Sequence, residues 1–310
     1  MPTLLFAGKP ADWGAYSTLI PAALKRRGIK ATLTQTAAPE EVDYIIYTPN
    51  GPVQDFTPFT KLKAVLSLWA GVERIIGNQT LRVPLCRMSD DGLRVGMSEW
   101  VTGHVLRYHL GMDAHIINPS HSWNPSVAPP LAKNRKVAVL GLGELGLACA
   151  NMLQHIGFSV SGWSRTLKNI EGISCFAGPA GLKEILSQAE IVVLLLPQTE
   201  ETKHIINAKS LALMPKGAKI INPGRGPLID DEALIEALNS GQIGHATLDV
   251  FDIEPLPEDH PYWQHNNVTV TPHIAAETRP ETAAEVIAEN VARGESGQAF
   301  VFEVDRSSGY

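Results

Sequence analysis

Only three cysteines occur in the 310 residues, Cys86, Cys149 and Cys175, and no two of them form a Cys-x-x-Cys pair or stand in a histidine ladder. Neither a zinc site nor a disulfide framework is indicated, and reduced, partly buried thiols of a cytosolic protein are the expectation. A dense run of lysine and arginine is missing too. With 26 basic against 32 acidic residues and a formal net charge of −6, the composition argues against nucleic acid or an anionic membrane as the main partner and leaves small molecules. Long apolar runs are also absent. The longest, Ile191 to Leu196, is far shorter than the about 20 residues that cross a bilayer, and the opening "MPTLLFAGKPADWG" has no basic region of the secretory type. A cytoplasmic protein with no membrane or nucleic-acid partner is expected.

What is present suits a large globular protein, since 44% of the residues are hydrophobic and 19% charged. Short β-type runs alternate with helical or loop stretches over the first hundred residues: 3–8, 30–36, 44–48, 64–71 and 83–89. That rhythm predicts an open parallel sheet with crossover helices. A helix-period segment follows at 98–117, then a stretch with four prolines at 118–134. Six further strands are predicted at 136–140, 159–163, 191–196, 218–223, 245–250 and 268–272, the pattern of a doubly wound nucleotide-binding sheet. The last helix, 280–294, can pack back on the first domain, which would make that domain discontinuous.

"KVAVLGLGELG" sets Gly141, Gly143 and Gly146 after an apolar strand and at the opening of a helix. In that context the first glycine permits the tight turn, the second lets a pyrophosphate approach the backbone, and the third permits close helix–strand packing. A further absence then becomes informative. At "SGWSRTLK" (161–168), where a site for NAD places an acid on the adenosine ribose, no acid occurs. A carboxylate would repel a 2′-phosphate of about −1.5 to −2 charges, whereas Arg165 can pair with it bidentately, Lys168 adds a point charge, and the Ser164 and Thr166 hydroxyls can donate. NADPH is the expected cofactor, with NADH possible but weaker.

Three other segments stand out, "INPGRGPLIDDEALIEAL" (221–238), "GHATLDVFDIEPLP" (244–257) and "VTVTPHIAAETRP" (268–280). With the glycine turn they resemble the D-isomer-specific 2-hydroxyacid dehydrogenase family over nearly the whole chain. Details such as "AGV" (70–72), "WSRT" (163–166), "FAG" (176–178), "EPLP" (254–257), "ETRP" (277–280) and the terminal "DRSSGY" are most similar to the branch that reduces glyoxylate and hydroxypyruvate.

The resemblance implies an α/β fold of two domains: a Rossmann-type NADP-binding domain at 99–274 and a flavodoxin-like, discontinuous substrate domain at 1–98 and 275–310. It implies reduction of small 2-oxo acids in a homodimer, with the two domains closing over the substrate. Arg225, at a strand end between Gly224 and Gly226, would bind the substrate carboxylate and polarise the 2-oxo group, a task suited to an always-charged planar fork. His273 would be the general acid, and Glu254 the carboxylate that bonds its other ring nitrogen and favours the imidazolium.

Cofactor contacts would fall on Gly141, Gly143, Glu144, Leu145 and Gly146, on Ser164, Arg165, Thr166 and Lys168, on Leu196, Pro197 and Thr202, and on Pro223, Gly224, Asp249 and Ala275. In the first domain a strand runs into Ala70-Gly71 and then a predicted helix. Gly71 and Val72 would offer N–H groups to the carboxylate, with Trp69 as a wall. Pro223-Gly224 and Ala275-Ala276 depart from the family's usual residues without removing a charged group. Two alternatives stay open: a D-2-hydroxyacid dehydrogenase of other substrate preference, and a non-catalytic, dinucleotide-sensing scaffold of the corepressor kind.

Overall fold

Two parallel sheets organise the chain. The computed structural model describes residues 1–116, 123 and 128–306. Most of the proline-rich stretch (118–122 and 124–127) and the last four residues of "DRSSGY" lie outside the described residues. The helices are α1 (Trp13–Arg26), α2 (Asp91–Leu110), α3 (Asp113–Ile116), α4 (Glu144–Ile156), α5 (Gly178–Gln188), α6 (Ala208–Leu213), α7 (Asp231–Asn239) and α8 (Pro280–Ser296). Two compact units divide the chain, Met1–Leu93 with Glu277–Tyr310, and Arg94–Ala276.

In the first unit β1 (Thr3–Ala7), β2 (Thr32–Thr34), β3 (Tyr44–Tyr47), β4 (Ala64–Ser67) and β5 (Leu85–Cys86) pair in the order β2-β1-β3-β4-β5, all parallel. This is the flavodoxin-like order. Every residue of β3, "YIIY", and of β4, "AVLS", is buried, as strands covered on both faces require. Helix α8 covers one of those faces. Its Ala283, Ala284, Ile287, Ala288 and Val291, one stripe at helical spacing, pack in a core with Tyr16, Ile20, Ala23 and Leu24 of α1.

The second unit holds seven parallel strands: β6 (Lys136–Leu140), β7 (Ser159–Ser164), β8 (Ser174–Ala177), β9 (Ile191–Leu194), β10 (Ala218–Asn222), β11 (Ile243–Leu248) and β12 (Val268–Val270). Their order is β12-β11-β10-β9-β6-β7-β8. The sequence predicts six strands here. The seventh, β8, reads "SCFA" with no residue fully buried, an edge strand too short and too polar to register as a hydrophobic run. Helix α4 presents Gly146, Cys149, Ala150 and Leu153 to the sheet and stops at Gly157, whose φ is +105°.

The long helix also differs from its predicted span of 98–117. It starts earlier because the Asp90 carboxylate accepts from the Leu93 N–H (3.0 Å), capping a free end that periodicity does not reveal. It stops at Leu110 because Gly111 takes a φ of +63°, with Met112 N–H bonding back to the Arg107 carbonyl (3.0 Å).

Candidate active site

The chemistry-bearing residues of the second unit gather at the carboxyl edge of its sheet. Strand order reverses between β6 and β9, the switch point at which open α/β sheets bind ligands, and the glycine turn leaves β6 there. Its three glycines answer different needs. Gly141 has a φ of +106°, and a Cβ on Gly146 would overlap the Gly141 carbonyl oxygen. A Cβ on Gly143, at the N-cap of α4, would meet nothing within 4 Å. Two of the three are therefore needed by the fold, and the middle one leaves open space at a helix N-terminus, which fits a dinucleotide phosphate. Glu144 is exposed and Leu145 partly buried in the first turn of that helix.

At the end of β7, Arg165, Thr166 and Lys168 are exposed, whereas Ser164 is buried. The Ser164 hydroxyl donates to the Thr166 carbonyl (2.8 Å), so its hydrogen shapes the loop instead of standing free for a ligand. Lys168 Nζ donates to the Leu142 carbonyl (2.5 Å), which ties the basic loop to the glycine turn. After β9, Leu196 is buried and Pro197 partly so, and the Thr202 hydroxyl donates to the Pro197 carbonyl (2.7 Å) while accepting from the Thr199 N–H (2.8 Å). Thr202 thus closes its own turn.

Arg225, Glu254 and His273 follow the ends of β10, β11 and β12, three adjacent strands whose last residues Asn222, Leu248 and Val270 lie in register. Glu254 and His273 touch, with His273 Nδ1 2.8 Å from Glu254 Oε2. A carboxylate only accepts, so Nδ1 carries the hydrogen of that bond and Nε2 is left for another partner. The other carboxylate oxygen, Oε1, accepts from the Phe251 N–H (3.0 Å), which locks the orientation of Glu254. The His273 side chain is 51% exposed, open enough to meet a ligand.

His273 has a φ of +57°, in the left-handed region that a non-glycine residue enters at a cost of about 1–3 kcal/mol. Asp249 holds it there. The Asp249 carboxylate, only 1% exposed, accepts from the Thr271 hydroxyl (2.6 Å) and from the N–H groups of Ile274 (2.9 Å) and Ala275 (2.9 Å), on both sides of the histidine. In this arrangement Asp249 serves the loop that carries His273.

The Arg225 loop is seated as closely. A Cβ at Gly226 would run into the backbone of Phe251 and Asp252, so glycine there lets this loop pack onto the chain that leads to Glu254. Arg225 is partly buried, and its Nη1 donates to the Gly224 carbonyl (2.7 Å). Pro223 and Gly224 are buried. Asn222, the last residue of β10, also belongs to this loop, and an asparagine two places before a glycine is the turn signal that marks it in the sequence.

In the first unit, Trp69, Ala70 and Gly71 are partly buried and Val72 is buried beyond the end of β4. The Trp69 N–H donates to Ser67 Oγ (3.0 Å), and its carbonyl accepts from the Met88 N–H (3.0 Å). The helix predicted after Gly71 is instead a set of turns at 73–77. Ile75 and Ile76 bond back to the Val72 carbonyl, and then the Asn78 carboxamide takes the Thr80 N–H (2.8 Å) and hydroxyl (2.7 Å), a local alternative that ends the coil after one turn. Cys86 and Cys149 offer no nucleophile, since burial pushes both thiols up to about 12.

Residues 105–275 match the family described as D-isomer specific 2-hydroxyacid dehydrogenase, NAD binding domain. The chain belongs to this family. A glyoxylate/hydroxypyruvate reductase A from Serratia proteamaculans is 39% identical over 258 residues, covering 81% of this chain and 82% of that protein. Among solved structures, a D-isomer specific 2-hydroxyacid dehydrogenase from Xanthobacter autotrophicus in complex with NADPH and MES is 40% identical, with a TM-score of 0.92 and coverage of 100% and 99% of the two chains. An NADPH-dependent glyoxylate/hydroxypyruvate reductase from Sinorhizobium meliloti, in complex with NADP and sulfate, is 32% identical with a TM-score of 0.85 and 99% coverage of both. Membership of this dehydrogenase family makes the protein an oxidoreductase with a Rossmann-type domain.

Proposed function

We propose that the protein reduces small 2-oxo acids with NADPH, glyoxylate to glycolate and hydroxypyruvate to glycerate first among them. The observation that carries the reading is the His273–Glu254 pair at 2.8 Å, which leaves Nε2 to donate a proton when the ring is charged, at the edge where Arg225 also stands. NADPH, when bound, would supply the hydride. Arg225 draws electron density from the 2-oxo group as a fixed cation. His273 gives its Nε2 proton to the carbonyl oxygen as that oxygen becomes a hydroxyl, and Glu254, pinned by the Phe251 N–H, stabilises the charged ring beforehand. The Serratia and Sinorhizobium relatives carry the same activity in their names, and the Xanthobacter and Sinorhizobium structures hold NADPH or NADP, which supports both the substrates and the cofactor proposed here.

Oxidation of NADPH followed by absorbance on adding glyoxylate tests this. Turnover is expected in the wild type and a fall of at least about a hundredfold in Arg225→Ala, since an electrostatic donor at a developing negative charge contributes on that order. NADPH binding without turnover would instead favour the scaffold reading. A homodimer is part of the proposal. Leu110, Ile116, Trp123 and Leu131 are large apolar side chains at 39–95% exposure among the described residues between α2 and β6, apolar surface of the kind a second copy covers. Light scattering that gives the mass of one chain would remove the dimer from the proposal.

A further inference from the structure

Among the buried polar side chains of the second unit, Asn222 is tied directly to the loop that carries Arg225. Its side chain is 1% exposed and both ends of its carboxamide are used. Oδ1 accepts from the Gly224 N–H (3.1 Å) and Nδ2 donates to the Arg225 carbonyl (2.9 Å). Those two bonds fix the peptide planes on either side of the Gly224–Arg225 peptide. The Gly224 carbonyl lies in the plane between them, and it is the acceptor of Arg225 Nη1 at 2.7 Å. Meanwhile the main-chain carbonyl of Asn222 accepts from the N–H of Asp249 (3.0 Å), whose carboxylate holds the loop around His273.

We infer that Asn222 is a positioning residue for the reduction: by clamping the loop 222–225 through both ends of its carboxamide it sets the direction of the Arg225 guanidinium. The inference rests on the role proposed above for Arg225. An apolar residue here would leave the Gly224 N–H and the Arg225 carbonyl without these partners, and the loop would lose the geometry they fix. Removing the clamp frees two peptide planes, and a misplacement of about 1 Å at a catalytic group lowers a rate about a hundredfold.

Asn222→Asp isolates the donor. The new side chain keeps the acceptor for Gly224 N–H but, when ionised, turns a carboxylate oxygen toward the Arg225 carbonyl. When protonated, its O–H donates where Nδ2 did, and burial favours that neutral form. The charged groups flanking this side chain are Lys219 and Arg225, three residues to either side, and Asp249 bonds its main-chain carbonyl from the end of the neighbouring strand; all are present in wild type and variant alike. The readout is the ratio of kcat/KM in Asn222→Asp to that in wild type, measured for glyoxylate from pH 8 to pH 6.

That ratio should be about one hundredth at pH 8 and should climb at least about tenfold by pH 6. In a second arm Asn222→Ala should lose a similar factor in the wild-type background and little in Arg225→Lys, because two residues acting through one group are coupled. A ratio flat with pH, a variant that stays inactive or unfolded at pH 6, or an alanine loss of equal size in both backgrounds would overturn the inference. A wild type that does not turn over glyoxylate would overturn the proposed function instead, so the two failures are told apart.

Discussion

At position 165 a guanidinium stands at the end of β7, where an acidic side chain would repel a ribose phosphate. Replacing Arg165 with alanine should weaken NADPH binding by about ten- to a hundredfold, the worth of one charge-assisted hydrogen bond, while NADH binding changes little. Fluorescence titration of both cofactors decides this, and equal losses for the two would remove Arg165 from the phosphate site. The sequence pointed to Arg225, Glu254 and His273 by their chemistry, and the structure sets them after the ends of three adjacent strands, with His273 and Glu254 in contact. Roles were not legible where the hydrogen-bond partner matters more than the side chain. The sequence does not display that Ser164 bonds the Thr166 carbonyl, that the Asp249 carboxylate holds the loop around His273, or that Asn222 bonds both Gly224 and Arg225.

Among the elements, α2 and the strands beneath its C-terminal half carry two histidines apart from the edge where Arg225, Glu254 and His273 stand. His104 packs at a tilt against Trp100 (ring centroids 4.3 Å apart), and His245 lies 5.4 Å from the Tyr108 ring with Nε2 3.0 Å from the Thr269 hydroxyl. Burial, and after it the Arg107 guanidinium, pushes each of them down to about 4. The unfolded chain, with imidazoles near 6.5, takes up protons first as the pH falls. Stability is therefore fullest above about pH 6.5 and declines toward pH 4, by up to about 1.4 kcal/mol per pH unit for each histidine. Urea midpoints at pH 7.5, 6 and 5 should show that decline, and it should be shallower in His245→Gln. Equal slopes in both proteins would mean that His245 titrates alike folded and unfolded. Periodicity alone could place α2 but not end it, because Asp90 and Gly111 act through a cap and a backbone angle. It could not find β8, whose four residues lie on a sheet edge.

Over the whole molecule, the first unit is assembled from both ends of the chain, with α8 supplying buried side chains to a core that begins at Leu4. Ile287, 1% exposed, is a direct probe: Ile287→Ala should destabilise that unit by about 2–5 kcal/mol while the second unit still binds NADPH. Thermal unfolding read by calorimetry and by cofactor fluorescence should then separate into two transitions, and a single unchanged transition would show that α8 contributes little. The alternation of strands and helices made both sheets readable in advance. The turns at 73–77 were not, since Asn78 decides them by a bond to its own neighbours. The split of the first unit has a consequence for how the protein is made. On the ribosome, β1 to β5 and α1 emerge first, yet the apolar face formed by Tyr16, Ile20, Ala23 and Leu24 stays uncovered until residues 280–296 have been added. The Rossmann-type unit, continuous from 94 to 276, is complete before then. Translation order thus reverses folding order, and a nascent chain stalled anywhere before α8 would display a sticky helix face, the natural substrate of a chaperone.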